Sequence, residues 1–426
     1  MVTEQTMPAV KIICFATEDW NTSGKRVQHV MQELARWSDI RSILYVNPPI
    51  SFSLKDAMQR RFRPGWSELP RELYGKALLG LARPIDDTIV TYTGSDMLLP
   101  LSRWGAVRQS GILQRLNERI YLSRIRAHAR GRPGEITIVW ASHALHASLA
   151  RRISRRDLLI YDWMDDWEQF ELLPTETAAE LRVMNDWLVR QADLVFAVSE
   201  NLYRRAHCLN ANALLVPNGT HDQHFRTSAR ASQPDLERIR PPRLGYTGRI
   251  GDRVDFDLLE QVARTKPEWS IVLVGPIWEN AREQCRRLQA LPNLHFLGPR
   301  PYQDLPGIIS ELDVCLIPHT IDPLTASMDP IKLYDYLATG KPVVTTRVAG
   351  VERFLDAIYV ADSSQQFVSR VTTALLENDG SAIERRRAYA RQNSWEARAA
   401  VIRSAIEARL AVGDSGSDSR SLGVAG

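Results

Sequence analysis

Short apolar runs alternate with amphipathic stretches along most of the chain, which predicts strands that alternate with helices. In the first half, apolar runs lie at 11–17, 42–46, 88–92, 136–141, 158–162, 194–198 and 214–217. Between the first two runs, Val27, Val30, Met31 and Leu34 recur at helical spacing. A strand, a helix and a second strand in this order form a βαβ unit, so the pattern predicts an α/β fold with parallel strands.

The same pattern begins again near Leu244, after a polar, proline-containing segment at 226–242 that is typical of a linker. Further apolar runs follow at 270–276, 294–297, 313–319, 343–344 and 358–361. A chain of 426 residues is too long for one ordinary core. Length and pattern together therefore predict at least two domains.

The stretch at 329–344 predicts a helix followed by a buried strand. Asp329 is expected to be the N-cap, Pro330 the first helical residue and Gly340 the residue that ends the helix. Lys332 then lies in the first turn, where a cation is disfavoured unless an anion is near. A phosphate held by backbone amides and Lys332 would satisfy it, and Asp335 could bind a ribose hydroxyl. The alternative is an ordinary i,i+3 ion pair on a solvated helix.

Carboxylates cluster after the apolar run at 158–162. Asp162, Asp165 and Asp166 lie between tryptophans, and their mutual repulsion can raise a pKa into the range of a general base. Helix capping with exposed charge and a metal-binding site of Asp-x-Asp type are the alternatives. His143 follows another strand, where a single histidine is more often structural than a base or an acceptor contact.

Two turns carry further candidates. The polar turn at 19–26 follows the first strand, and the carboxyl ends of parallel strands are where open α/β sheets bind ligands. It lacks the G-x-G-x-x-G fingerprint of dinucleotide-binding proteins. In the second half, Gly248 and Arg249 form a strand end at which backbone and guanidinium could approach phosphate oxygens. An ordinary connecting loop and a surface arginine are the alternatives.

The residues at 329–344 resemble the donor-sugar motif of GT-B glycosyltransferases, with Gly340-Lys341-Pro342-Val343-Val344 matching its end. The chain is most similar to bacterial enzymes of cell-surface polysaccharide synthesis, of the teichuronic-acid and exopolysaccharide glucuronosyltransferase types. The resemblance runs from about residue 11 to about residue 410 and includes Pro217-Asn218-Gly219 and Gly248-Arg249. It implies two Rossmann-like α/β/α domains across a cleft.

The resemblance also implies domain limits and a division of labour. Residues 1–222 would bind the acceptor and 223–380 the nucleotide sugar, a helix at 381–411 with Trp395 would cross back to the first domain, and 412–426 would be disordered. Asp165 would be the base, with Asp166 and His143 beside it. The donor site would contain Gly248, Arg249, Gly298, Tyr302, Asp329, Lys332 and Asp335. The acceptor side would contain Trp20, Ser23, Gly24 and Asp162.

The sequence departs from the family pattern at two positions. The broad retaining group has an acidic residue at the position of Ser327, so the departure favours an inverting reaction. Many relatives have a lysine about five residues after the glycine-arginine pair, whereas this chain has Arg253 one position away.

Composition argues against membrane-spanning and secreted proteins, and the charge distribution suggests a surface that could bind anions. No run of eighteen apolar residues or secretory leader is present, and four scattered cysteines show no metal-ligand spacing, so a cytoplasmic protein is expected. Eight arginines and one acid lie within 103–132, and the segment 50–85 is irregular and basic. Both could touch the inner leaflet of a membrane, and a solvated helical face is the alternative for the first. Nucleic acid is not expected.

The sequence therefore predicts a glycosyltransferase that moves a sugar from a UDP- or GDP-sugar to a glycan or lipid-linked acceptor. No cofactor or metal is expected, because Arg249, Lys332 and the helix dipole could neutralise the leaving diphosphate. The alternatives are a retaining transferase, a nucleotide-sugar epimerase and a non-catalytic scaffold that binds nucleotide sugar. A NAD-dependent dehydrogenase is disfavoured by the missing fingerprint.

Overall fold

Two parallel sheets organise the molecule. The computed structural model describes residues 8–21, 24–48, 81–94, 111–129, 134–153, 155–169, 175–227, 233–377 and 379–418, without the side chains of 111–118, 175–176 and 413–418. The strands of the first sheet are β1 (Val10–Phe15), β2 (Ile40–Val46), β3 (Leu81–Pro84), β4 (Ile89–Thr93), β5 (Ile136–Ala141), β6 (Leu158–Trp163), β7 (Leu194–Ala197) and β8 (Ala213–Leu215). Those of the second are β9 (Arg243–Thr247), β10 (Ser270–Val274), β11 (Leu294–Gly298), β12 (Val314–Ile317), β13 (Val343–Thr346) and β14 (Tyr359–Ala361).

Helices cover both sheets. The described α-helices are α1 (Arg26–Leu34), α2 (Gly111–His128), α3 (Ala147–Arg152), α4 (Thr175–Gln191), α5 (Glu200–His207), α6 (Asp222–Thr227), α7 (Pro234–Glu237), α8 (Phe256–Thr265), α9 (Arg282–Gln289), α10 (Leu305–Ser310), α11 (Ile331–Thr339), α12 (Ser364–Leu375), α13 (Gly380–Gln392) and α14 (Trp395–Asp418). Each sheet has an apolar core on both faces, as a parallel sheet requires.

Strand order places a ligand crevice in each sheet. Among the described strands, the first sheet runs β3-β4-β2-β1-β5-β6-β7-β8 and the second runs β11-β10-β9-β12-β13-β14. The second order is that of a Rossmann fold, and so is the order of the six strands from β4 to β7 in the first sheet. In this fold the strand order changes direction between the first and the fourth strand. The crevices therefore lie beyond the ends of β1 and β5, and of β9 and β12. The prediction of two Rossmann-like units is confirmed.

The chain passes between the two units at neighbouring places. Thr220 and Ser394 form an isolated parallel bridge, and the backbone N–H of Trp395 donates to the carbonyl of Thr220 at 3.0 Å. The Trp395 side chain is fully buried in the core of the first sheet, together with Ile402 and Ile406 of α14. The expectation that Trp395 holds the last helix on the first domain is confirmed.

Several expected limits are wrong. A crossing helix at 381–411 was expected, but α13 packs on the second sheet through Ala390, and only α14 crosses. The helix continues to Asp418, so 412–418 are not disordered, because extending a formed helix is easier than starting one. Residues 419–426 lie outside the described range.

Two segments expected to be irregular contain regular structure. Strand β3 lies within 50–85 and pairs antiparallel with β4, while 49–80 lie outside the described residues. The linker at 226–242 contains the end of α6 and the short helix α7, whose Leu236 is buried in the second core. Both elements are short and locally polar, so the hydrophobic pattern did not predict them.

Replacing Trp395 tests how α14 is held. Trp395→Ala is expected to lower the free energy of unfolding by about 3–5 kcal/mol, because it leaves a cavity in the first core. Val401→Ala on the same helix is the control, since Val401 is 44% exposed. Chemical denaturation followed by far-UV circular dichroism measures both variants. Equal, small losses would show that α14 is held elsewhere.

Candidate active site

The start of α11 is built differently from the prediction. The helix begins at Ile331, and Pro330, in an extended conformation, takes the N-cap position without a side-chain hydrogen bond. Asp329 was expected to cap the helix, and this is wrong; its expected contact with the donor stays a prediction, since Asp329 lines the cleft cavity. Its buried carboxylate accepts from the Asn218 amide at 2.6 Å, from the Tyr334 hydroxyl at 2.8 Å and from Arg353. Asp329 therefore ties α11 to the first crossover. Gly340 ends the helix with a φ of 80°, as predicted.

Lys332 lies in the first turn of α11 and points into the cleft. Its Nζ is 4.6 Å from the centre of the Tyr246 ring and 3.5 Å from His319 Nε2. Burial, together with Arg253, Arg249 and Lys25, lowers the pKa of Lys332 to about 7. In the described part of the chain, no carboxylate lies within ion-pair distance of its ammonium.

Gly248 makes room for this lysine. A Cβ atom on Gly248 would lie 3.1 Å from Lys332 Cε and 3.4 Å from its Nζ, and the φ of Gly248 is +129°. A residue with a side chain would be strained there and would push the ammonium away. Gly248 thus acts through the space that it leaves.

Further cations line the same cavity of about 310 Å³. Arg249 stacks on Trp278, with its Cζ 3.9 Å from the ring centre, and forms no ion pair among the described residues. Burial and the neighbouring Arg253 lower the pKa of Arg249. Lys25 reaches the cavity from the other domain and lies 3.6 Å from Glu18. The cavity thus receives cationic side chains from both domains.

Asp335 lies one helical turn beyond Lys332, on the cavity wall. One of its oxygens accepts from the Thr220 hydroxyl at 2.7 Å, and burial raises the pKa of Asp335 to about 7. The alternative of a solvated Lys332–Asp335 ion pair is not what forms, since Asp335 is 5% exposed and bonded to the crossover.

Asp165 faces the second domain across the cleft. It follows β6, lines the cavity and accepts from Arg253 Nη2 at 2.8 Å. Arg253 comes from the loop after β9, so this ion pair joins the two units. Asp165 is the one member of the predicted carboxylate cluster, all of which is described, that lines this cavity.

The neighbouring carboxylates have structural partners. Asp162 was expected on the acceptor side, but its side chain is fully buried and paired with Arg26 at 2.9 Å, and burial raises the pKa of Asp162. Asp166 was expected beside the base, but it binds Arg205 and accepts from Ser327 Oγ at 3.2 Å. Neither side chain lines the cavity, because Arg26 holds Asp162 and Arg205 holds Asp166; their expected roles on the acceptor side and beside the base stay predictions.

His143 and Trp20 pack within the fold and do not line the cavity. His143 Nδ1 accepts from the Leu145 amide at 3.0 Å, and its ring packs on Trp167. Burial lowers the pKa of His143 to about 4. Trp20 is 7% exposed and packs edge-on against Tyr45. Neither lines the cavity, and Ser23 lies outside the described residues.

Gly24 and Tyr302 bring the two domains into contact beside the cavity. A Cβ atom on Gly24 would lie 2.9 Å from Tyr302 Cδ2, so a larger residue would force the domains apart. The Tyr302 ring also packs near His29 and Phe225. Gly298 is the last residue of β11, and its carbonyl accepts from the Gly275 amide at 2.9 Å.

Sequence reasoning missed two residues that line this cavity, His319 and Lys25, and one that binds its wall, Thr220. His319 is 1% exposed between Tyr246 and Lys332, Thr220 binds Asp335, and Lys25 adds a cation from the first domain. His319 directly follows the β12 pattern, and a position at a strand end beside the crevice is the signal that could have identified it. Thr220 and Lys25 give no such signal.

The described residues contain neither a metal-binding cluster nor a membrane-spanning helix. No group of three or more His, Cys, Asp or Glu residues there could hold a metal ion. No helix in that part of the chain is long and apolar enough to cross a membrane. Of the basic segment at 103–132, Arg119 and Arg126 lie on the exposed side of α2, while Arg108 and the side chain of Arg115 are outside the description.

Residues 241–378 match the family described as Glycosyl transferases group 1. These residues contain the whole second sheet, with Gly248, Arg249, Lys332 and Asp335. The chain is also similar to the "Putative teichuronic acid biosynthesis glycosyltransferase TuaH" of Bacillus subtilis (strain 168), at 26% identity over 257 residues. That match covers 56% of this chain and 64% of the relative.

Solved structures extend the likeness to both domains. Anabaena HepE in complex with UDP and glucose matches with a TM-score of 0.62 at 16% identity, covering 93% of this chain and 99% of that one. Sucrose-phosphate synthase from Thermosynechococcus elongatus matches with a TM-score of 0.67 at 15% identity, covering 95% and 100%. The expected resemblance is therefore confirmed: the chain has the GT-B fold and contains a Glycosyl transferases group 1 domain at 241–378.

Proposed function

We propose that the chain is a glycosyltransferase that moves a sugar from a nucleoside-diphosphate sugar to a hydroxyl group of a glycan or lipid-linked acceptor. The observation that carries the proposal is the placement of Lys332 and Arg249. Both reach the same cavity at the positive end of α11, and neither has a carboxylate ion pair among the described residues. A diphosphate supplies the missing negative charge.

UDP is the first nucleotide to consider. HepE was solved in complex with UDP and glucose, and its fold is that of this chain. A GDP-sugar remains the alternative donor. A role in cell-surface polysaccharide synthesis fits the similarity to TuaH, a putative teichuronic acid biosynthesis glycosyltransferase.

The proposed reaction divides the work between the domains. The acceptor hydroxyl attacks the anomeric carbon, the bond from that carbon to the diphosphate oxygen breaks, and the nucleoside diphosphate leaves. Arg249, Lys332 and the N-terminus of α11 stabilise the charge that develops on this leaving group. Asp165 receives the proton of the acceptor hydroxyl, and a single attack on the face opposite the leaving diphosphate makes the reaction inverting. The cations would take the role that a metal has elsewhere, so no cofactor or metal is proposed.

Location follows from the proposed acceptor. A lipid-linked sugar would be met at the inner face of the cytoplasmic membrane, and the exposed Arg119 and Arg126 of α2 are suited to an anionic surface. We therefore propose a cytoplasmic protein with peripheral membrane contact.

A non-catalytic nucleotide-sugar-binding protein is the second candidate. Ser327 stands where the broad retaining group has an acidic residue, and it is buried in the domain interface. Its carbonyl accepts from Ser199 Oγ and its hydroxyl from Asn201 Nδ2, both at 2.7 Å. Such a protein would bind the donor without turnover, and an epimerase would consume the donor without an acceptor.

Nucleotide binding is tested first, by thermal stabilisation with UDP, GDP, ADP and their sugars, and with NADH as control. One nucleotide at a hundredfold excess over its dissociation constant should add about 2.7 kcal/mol of stability. Lys332→Ala should weaken its binding by about 10- to 100-fold through the lost charged contact. Lys266→Ala, which changes a lysine outside the cavity, should bind as the wild type does. No stabilisation of the wild type by any nucleotide would refute the donor site.

Binding should also depend on pH through Lys332. The pKa of Lys332 is lowered to about 7 in the empty site, and a bound diphosphate would raise it. Binding above pH 7 therefore takes up a proton, and affinity should fall by up to about tenfold per unit as pH rises from 7.5. The terminal phosphate of UDP, with a pKa near ~6, is ionised throughout this range. Titration calorimetry with wild type and Lys332→Arg measures the effect, which the arginine variant should abolish.

The role of Asp165 is tested by turnover and by the product anomer. Asp165→Asn should lower kcat about 10²- to 10⁴-fold, as expected for loss of a general base. Donor consumption is measured against a panel of lipid-linked sugars, with and without EDTA, and NMR identifies the anomer. Retention of configuration, or near-normal turnover of Asp165→Asn, would instead assign Asp165 to acceptor positioning. Loss of turnover in EDTA would contradict the metal-free proposal.

A further inference from the structure

The ion pair between Asp165 and Arg253 joins the two domains inside the cavity. Arg253 Nη2 lies 2.8 Å from Asp165 Oδ1, and the side chains are 18% and 23% exposed. Asp165 is the only acidic residue of the first domain's described part that lies within ion-pair distance of a cavity cation from the second domain. The proposed base is therefore bound by a cation of the proposed donor site.

The backbone of Arg253 is fixed, and its side chain lies in the cavity, close enough to Lys332 that its charge lowers the pKa of that lysine. The Arg253 carbonyl accepts from the Thr320 amide at 3.0 Å, and Val254 pairs with His319. The Arg253 amide donates to Asp252 Oδ1 at 3.1 Å. These contacts hold the loop beside the end of β12, where Lys332 and Arg249 also lie. With the loop held in place, a movement of the Arg253 side chain would turn the guanidinium from Asp165 toward an anion beside Lys332.

We propose that Arg253 holds Asp165 in the empty enzyme and releases it when a nucleoside diphosphate enters, so that the donor must bind before the acceptor can be activated. This inference rests on the proposed function of the cavity. Arg253 is a positioning residue in this scheme, because it acts on the acceptor through Asp165.

Competition between two anions is the physical basis of the release. A guanidinium that binds Asp165 end-on cannot also direct the same Nη2 hydrogens to a diphosphate. The diphosphate carries more charge than one carboxylate, and Arg249, Lys332 and the start of α11 attract it to the same place. When Arg253 turns to the diphosphate, Asp165 loses its partner and becomes able to accept a proton.

The inference predicts that removing the charge of Asp165 tightens nucleotide binding, but only when Arg253 is present. In Asp165→Asn, Arg253 no longer has to leave a charged partner, so the nucleoside diphosphate selected by the thermal panel should bind about three- to tenfold more tightly, the range expected for a partly exposed ion pair. The gain should vanish in an Arg253→Gln background. Isothermal titration calorimetry measures all four proteins of this double-mutant cycle.

Matched variants separate this competition from general repulsion. Asp252→Asn removes the same charge at the cavity wall but does not free the Arg253 guanidinium, so its affinity should change less than twofold. If Arg253→Gln fails to fold, Arg253→Met provides the same background. An equal gain in Asp252→Asn, or a gain that persists without Arg253, would overturn the inference.

Failure of the inference and failure of the proposed function can be told apart. A wild type that binds a nucleotide, with Asp165→Asn showing unchanged affinity, overturns only the role of Arg253. A wild type that binds no nucleotide overturns the donor site and this inference with it.

Discussion

Lys332 occupies a place where electrostatics least favours a cation. It lies at the positive end of α11, half-buried, with Arg249 and Arg253 beside it. The surrounding structure keeps it there: Gly248 leaves space for its chain, Tyr246 offers a ring face, and the first domain closes the cavity with Lys25. These cations repel one another, and the proposed diphosphate would relieve that repulsion.

The interface between the domains is polar where it borders this cavity. Asp329 bonds Asn218 at the crossover, Ser327 bonds Ser199 and Asn201, and Asp165 pairs with Arg253. The partly exposed Asp165–Arg253 pair can exchange its contact for bonds to water or ligand at small net cost. Asp329 and Ser327 are buried, so their contacts are costly to break and hold the domains together.

Much of this architecture could be predicted from the sequence. Periodicity reports which faces are buried, so the strands around Arg249, the helix with Lys332 and the packing of Trp395 could be predicted. Asp329, Asp162 and Asp166 could not be assigned, because each has a partner more than thirty positions away in the sequence: Asn218, Arg26 and Ser327 respectively. A carboxylate in a turn looks the same in the sequence whether it faces a ligand or a buried arginine. The Thr220–Asp335 bond was hidden for the same reason.

The placement of Trp395 has a consequence for how the protein is made. The first sheet is synthesised early, yet the core beside β1 remains incomplete until Trp395, Ile402 and Ile406 leave the ribosome. The second domain, from β9 to α13, can finish its own core before the first does. The two halves of the cleft are therefore complete at the same time only when almost the whole chain is available, and a shorter chain lacks part of the first domain's core.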